Sequence, residues 1–128
     1  MKPRLLVVDD DPMMLELLVT RLELAGYAVS TARDGLEALR RVHECRPQAL
    51  ILDINMPRLD GFGVLEQLNT SRWPVLVLTA RNQTQDVQRA ISLGARDFLS
   101  KPFKDNQLLL RVARLLRTGS AETNAVVI

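Results

Sequence analysis

Leu5-Leu6-Val7-Val8-Asp9-Asp10 decides the fold once it is set beside Ala49-Leu50-Ile51-Leu52-Asp53 and Val75-Leu76-Val77-Leu78-Thr79. Each is a short apolar run that stops at an oxygen-bearing side chain. A fourth run, Phe98-Leu99-Ser100, meets Lys101-Pro102. Continuous apolar runs of this length suit strands buried on both faces, as in a parallel sheet covered by helices. Ligands of such sheets collect at the carboxyl ends of the strands. The spacing therefore predicts three carboxylates, a hydroxyl and an ammonium along one edge of one sheet.

The segments between the runs read as helices. Asp11 can cap a helix with Pro12 in its first position, where a missing N–H costs nothing. Met14, Leu18 and Leu22 fall on one face of it, and Gly26 stops it. Asp34-Gly35-Leu36-Glu37 has capping-box spacing and opens a second helix that ends before Pro47. Asp60 caps a third, through about Asn69; a fourth runs from about Thr84 to Leu93 and closes at Gly94. Asp105 can cap a fifth, to about Arg117. The strands fall at Leu5–Val8, Tyr27–Ala32, Gln48–Leu52, Trp73–Leu78 and Arg96–Ser100. Five strands alternating with five helices predict an α/β fold with a parallel sheet between two helical layers.

The chain has 128 residues, room for one domain. Apolar residues make up 47% and charged residues 25%, an ordinary globular balance that can bury one core. Net charge is only +2 and the basic residues are scattered, so no stripe for direct nucleic-acid contact is visible. Cys45 is the sole cysteine, which excludes a disulfide framework and suits a cytoplasmic location. No apolar segment approaches a membrane span. Thr118–Ile128 reads as a tail or linker.

Asp9, Asp10 and Asp53 would repel one another unless they shared a proton or a cation. With no His or Cys nearby, hard carboxylate oxygens favour Mg²⁺, or Mn²⁺, over zinc. Mg²⁺ commonly binds one or two carboxylates together with a phosphate, which points to phosphoryl chemistry at an aspartate. Thr79 can hydrogen-bond one phosphoryl oxygen and Lys101 can pair with another. Taken singly, each residue has an ordinary role: Asp11 as a cap, Asp53 in a turn, Thr79 at a strand end, Lys101-Pro102 in a surface turn. His43, mid-helix and far in sequence from the acids, reads as a solvated histidine. Convergence on one edge is the signal.

At this point the chain resembles the receiver domain of bacterial two-component response regulators. Asp9-Asp10-Asp11-Pro12, Asp53-Ile54-Asn55-Met56-Pro57-Arg58-Leu59-Asp60-Gly61, Thr79-Ala80, Gly94-Ala95-Arg96-Asp97-Phe98 and Lys101-Pro102-Phe103 carry the resemblance. Residues 1–117 would be the receiver and 118–128 the tail or linker. The family implies a flavodoxin-like (CheY-like) doubly wound five-stranded sheet of order 2-1-3-4-5. Asp53 would accept a phosphoryl group from a sensor histidine kinase. Asp10 would bind Mg²⁺ directly and Asp9 through water, with Asp53 and the carbonyl of Asn55 completing the set. Thr79 and Lys101 would contact the phosphoryl group, and Lys101-Pro102 would be cis. Asn55 and Arg81 occupy the two positions whose side chains tune hydrolysis in the family.

The resemblance also implies a switch through Thr79 and Phe98. Phe98 lacks the hydroxyl that many members carry there, so its rotamers would differ by packing alone. The output face would be the fourth helix, fifth strand and fifth helix, through which a homodimer could form. Asp97 and Arg111 match a cross-dimer ion pair of winged-helix regulators, although Val87 stands where those carry an Arg. Leu108, Leu109, Leu110, Val112, Ala113, Leu115 and Leu116 form an apolar sector wider than one core face needs; it reads either as a leucine-rich buried helix or as a partner surface, with Leu108 and Leu115 as interface residues. A C-terminal output domain could follow. Two other functions share parts of the pattern. A haloacid-dehalogenase-like phosphatase would want an acid at Asn55, and a flavodoxin would not place Asp9-Asp10-Asp11 against a flavin phosphate. The chain is expected to catalyse only its own phosphorylation and dephosphorylation, and no metabolite turnover.

Overall fold

A computed structural model describes the backbone of residues 1–125 and the side chains of residues 1–117. The order is β1 (Arg4–Val8), α1 (Pro12–Leu24), β2 (Ala28–Ala32), α2 (Gly35–Cys45), β3 (Ala49–Leu52), α3 (Gly61–Gln67), β4 (Val75–Thr79), α4 (Thr84–Ser92), β5 (Asp97–Ser100) and α5 (Asp105–Ala125). The five strands are parallel, in the order β2-β1-β3-β4-β5. This is the doubly wound, flavodoxin-like architecture expected from the sequence.

Alternation along the strands builds two cores. Leu6, Val8, Leu50, Leu52 and Val77 point to one face, where Val42 of α2, Phe62 and Leu65 of α3 and Ala90 of α4 cover them. Leu5, Val7, Ile51, Leu76 and Leu78 point to the other, under Leu18 and Leu22 of α1 and Leu108, Val112 and Leu115 of α5. Successive strand residues face opposite sides of a sheet, so a continuous apolar run fills both cores at once.

Register places the site. Val8 pairs with Leu52 and Leu52 with Val77, so the residues after β1 and β3 leave the sheet side by side. Thr79 pairs with Ser100, one residue before Lys101. The Lys101-Pro102 bond is cis. Among the described residues no helix is long and apolar enough to cross a membrane.

Several boundaries move. β2 starts at Ala28, β3 at Ala49, β4 at Val75 and β5 at Asp97, each one or two residues later than the apolar runs suggest. Trp73-Pro74 only leads into β4, although the Pro74 carbonyl still accepts a 2.9 Å bond from Leu50 N. α3 stops at Gln67 because Leu68 turns extended (φ −89°, ψ 140°). Asp105 does not cap α5. It lies inside the first turn and pairs with Arg21 of α1 at 2.9 Å, while the Gln107 side chain accepts from Lys104 N at 3.1 Å. α5 continues past Arg117 to Ala125, and Val126–Ile128 of the expected tail lie outside the described residues.

Asp11 caps α1 by accepting from Met13 N at 3.0 Å, and Asp60 caps α3 by accepting from Gly63 N at 2.9 Å. Asp34 caps α2 through Glu37 N at 2.8 Å, but the Glu37 carboxylate answers to Arg33 N rather than to Asp34 N. The reciprocal bond of a capping box is thus displaced by one residue.

Candidate functional site: the carboxyl edge of the sheet

Backbone bonds lash the strand ends together. Asp53 N donates to Val8 O at 2.9 Å, Asp9 N to Ala32 O at 3.1 Å, and Lys101 N to Thr79 O at 2.9 Å. Gly61 N donates to Ile54 O at 2.8 Å, drawing the start of α3 onto the loop that follows Asp53. A Cβ at Gly61 would lie 2.4 Å from Asp53 O and 2.7 Å from Ile54 Cα. Glycine is needed here for close approach of two backbones.

Carboxylate oxygens of Asp9, Asp10 and Asp53 lie within 4.8 Å of one another. Asp9 and Asp53 are buried and Asp10 is exposed. Lys101 Nζ donates to Asp9 Oδ2 at 2.6 Å and reaches Asp53 Oδ2 at 3.4 Å. The other Asp9 oxygen accepts from Asp11 N at 2.9 Å, and Asp53 Oδ1 accepts from Ile54 N at 2.7 Å. Burial pushes the Asp9 carboxyl above its ordinary value, and the charge of Asp53 adds to this. Hydrogen bonds from Lys101 and Asp11 work against it but do not cancel it. One ammonium, in contact with two of them, thus serves a cluster of three carboxylates. The cluster has an all-oxygen donor set that could hold a metal ion, and the surplus negative charge favours one.

The rim is built from the loops after β3 and β4. Thr79 is buried, and its Oγ1 accepts from Arg81 N at 3.2 Å. Arg81 Nε binds Asp86 Oδ1 at 2.9 Å, and its Nη1 donates to Asn55 Oδ1 at 3.3 Å. The same guanidinium lies 5.2 Å from the centre of the Phe62 ring. Arg81 therefore ties the loop after the acids to the first turn of α4. Reasoning from the sequence marked positions 55 and 81 separately but missed their contact and missed Asp86. Asp86, three residues after the Gln83 cap, was the available signal for a helix start.

One expectation about the output face needs correction. Leu108 and Leu115 face the sheet and are buried with Val112, so they belong to the core. Among the described residues of α5 the exposed large apolar side chain is Leu110, 57% accessible. Asp97 and Arg111 bind each other inside one chain at 2.5 Å, so a cross-dimer pairing would first have to open that contact. Phe98 is half-buried and packs on the α2–α3–α4 core. Its N–H donates to Asp97 Oδ1 at 2.8 Å.

A model of the response regulator receiver domain family matches residues 5–113. Transcriptional regulatory protein PrrA of Mycobacterium leprae (strain TN) is 48% identical over 132 residues, covering 97% of this chain and 57% of that protein. Response regulator MprA of Mycobacterium avium (strain 104) is 45% identical over 124 residues, covering 95% and 54%. The chain thus spans a little over half the length of the curated relatives it matches. Among solved structures, Vibrio cholerae chemotaxis protein CheY4 superposes with a TM-score of 0.84 at 33% identity, over 90% of this chain and 99% of that one. The signal receiver domain of a putative Luxo repressor protein from Vibrio parahaemolyticus gives 0.89 at 28% identity, over 98% of both.

Proposed function

The chain belongs to the response regulator receiver domain family, and from that premise we propose that Asp53 is the acceptor in a phosphorylation-dependent signalling switch served by a sensor histidine kinase. The observation that supports this reading is the Asp53 carboxylate held at a strand end beside Asp9, with the Lys101 ammonium in reach of both. The side chains of Asp9, Asp10 and Asp53, with the Asn55 carbonyl, would hold Mg²⁺. When bound, the ion would neutralise charge on phosphoryl oxygens.

The remaining chemistry falls to the protein. An Asp53 oxygen attacks phosphorus and an acyl P–O bond forms. The P–N bond of a phosphohistidine breaks, and its electron pair leaves with the imidazole nitrogen. Phosphoryl transfer asks chiefly for positioning and charge stabilisation. The backbone bond from Ile54 N orients the nucleophile, and Lys101 sits where an added anionic oxygen would need a partner. Hydrolysis of the acyl phosphate resets the switch.

A phosphoryl group shifts a conformational equilibrium only if one state binds it better. Thr79 would leave its 3.2 Å contact with Arg81 N to donate to the new oxyanion. That movement loosens the Arg81 link to α4 and opens space toward Phe98. The changed α4–β5–α5 surface would then act on a partner, a second copy or an output domain concerned with transcription, the setting of its PrrA relatives. A cytoplasmic setting fits this role.

The test is incubation with Mg²⁺ and acetyl phosphate, followed by intact mass and site location. One phosphoryl group that requires both Mg²⁺ and Asp53 is expected, and Asp53→Ala should take up none. Uptake unchanged in Asp53→Ala would sink the assignment, as would no uptake together with no response to beryllofluoride.

A further inference from the structure

The opposite, amino edge of the sheet carries a cavity of about 420 Å³ between Arg4, the Arg46-Pro47-Gln48 turn, the Ser71-Arg72-Trp73-Pro74 turn and Leu116. Its size is that of a small-ligand site. Among the described residues three guanidiniums line it and no carboxylate does. Elsewhere Arg21, Arg40, Arg41, Arg58, Arg81, Arg89 and Arg111 all pair with acids. Among the described residues Arg4, Arg46 and Arg72 have no acidic partner; Arg33, alone at the opposite edge, shares that but has no second guanidinium beside it in a cavity.

Helix C-termini point at this edge, and cations there often answer only to the last carbonyls. That accounts for Arg4, whose Nε donates to Arg46 O at 3.0 Å. It does not account for Arg72, nor for the choice of a long side chain at the backbone position that Arg46 holds at the end of α2. Arg46 ends α2 in the left-handed region (φ 47°, ψ 59°), a position that favours glycine or asparagine. A long cationic side chain stands there against the backbone preference. Arg72 lies over the Trp73 ring, 4.8 Å from its centre, and the same indole takes the edge of His43 at 5.4 Å. Stacking fixes the guanidinium while leaving its in-plane donors to a ligand. Gln48 and Ser71 add uncharged polar groups at the rim.

We propose that this amino-edge cavity binds a small phosphate-chain anion, a di- or triphosphate, through Arg4, Arg46 and Arg72. Guanidiniums match phosphate oxygens in bidentate fashion. Recognition is of the chain rather than of a base, because Arg72 and His43 already hold the indole of Trp73. Inorganic triphosphate and a nucleoside triphosphate therefore bind alike.

Trp73 is the sole tryptophan of the chain and supplies a reporter at the cavity. The unmodified protein is titrated with orthophosphate, sodium triphosphate and ATP, in EDTA to silence the acidic edge and at near-physiological salt. A saturable fluorescence change is expected, of similar affinity for triphosphate and ATP and weaker for orthophosphate. Variants are followed by calorimetry. Arg46→Gly, which suits the local backbone, and Arg72→Gln should each weaken triphosphate about tenfold, the value of one charge-assisted hydrogen bond. Arg33→Ala, at the opposite edge, should leave it unchanged. Absence of saturable binding by both methods overturns the proposal, as does equal weakening by Arg33→Ala, which would mean diffuse charge. Preference for ATP over triphosphate overturns the chain-only recognition. Displacement by a duplex oligonucleotide below the triphosphate concentration makes the patch a nucleic-acid contact instead.

Discussion

The two edges of the sheet place charge in opposite ways. At the carboxyl edge, Asp9 and Asp53 are buried beside one another and share a single ammonium, and burial raises the Asp9 carboxyl. At the amino edge, arginines stay exposed and one of them answers a helix-terminal carbonyl. The first edge crowds buried like charge that needs a counter-ion, while the second leaves its cations in solvent. Strain of the first kind marks sites kept for chemistry rather than for stability.

The sharpest way to break the comparison is Lys101→Ala. It leaves two buried carboxylates without their counter-charge. We expect a loss of about 3 kcal/mol, at the low end for a broken buried pair because the lysine side chain is 15% exposed. Urea unfolding should show it, and added Mg²⁺ should recover part of it. A loss below about 0.5 kcal/mol would place the pair in the surface class.

Next is Gly61→Ala. The new methyl must displace the Asp53 carbonyl, so a cost of about 2 kcal/mol and a slower phosphoryl uptake are expected together. Normal uptake with lowered stability would separate the nucleophile from its backbone support.

Asp34→Ala tests a buried acid without a reactive role. Its carboxyl is held below the ordinary value by Glu37 N first, against the cost of its burial, and by Arg58 as well. A depressed carboxyl contributes stability above its unfolded value near 3.8, and loses it as pH falls through the lower folded value. The variant should cost about 1 kcal/mol at neutral pH, chiefly the cap. Its stability should fall less than that of the parent on acidification. Parallel curves from neutral pH to below pH 3.8 would refute this.

The smallest effect is expected at the amino edge. Arg46→Gly removes a side chain from a left-handed position and should leave stability unchanged or raise it by up to about 1 kcal/mol. Thermal unfolding is enough to check it. A clear loss would mean that the arginine has a structural partner at this edge.

How far the sequence could be read follows the same division. The reactive residues were legible because each ends an apolar run, and pairing in a parallel sheet leaves them few places to go. Strand starts were less legible: Tyr27, Gln48, Trp73 and Arg96 look as extended as their neighbours, and Gln48 N and Arg96 N even donate across to Arg4 O and Val75 O, yet the paired ladder begins one or two residues later. Asp97 and Arg111 were legible as a pair from a family ion pair, and within one chain they also meet because α5 packs beside β5. Leucine-rich α5 gave no sign of which leucines face the sheet. The arginine cavity was invisible because its three arginines come from three separate segments, and a scattered basic count hides such gathering.

Gly61 carries a consequence for descent. A lineage that drifts at this position must first displace the loop bearing the nucleophile. Once the nucleophile is misplaced, selection no longer maintains the acids around it. Degenerate descendants should therefore carry paired scars, a side chain at 61 together with a neutral residue at 9, 10 or 53. Restoring the aspartate alone would not revive them; the glycine has to return with it.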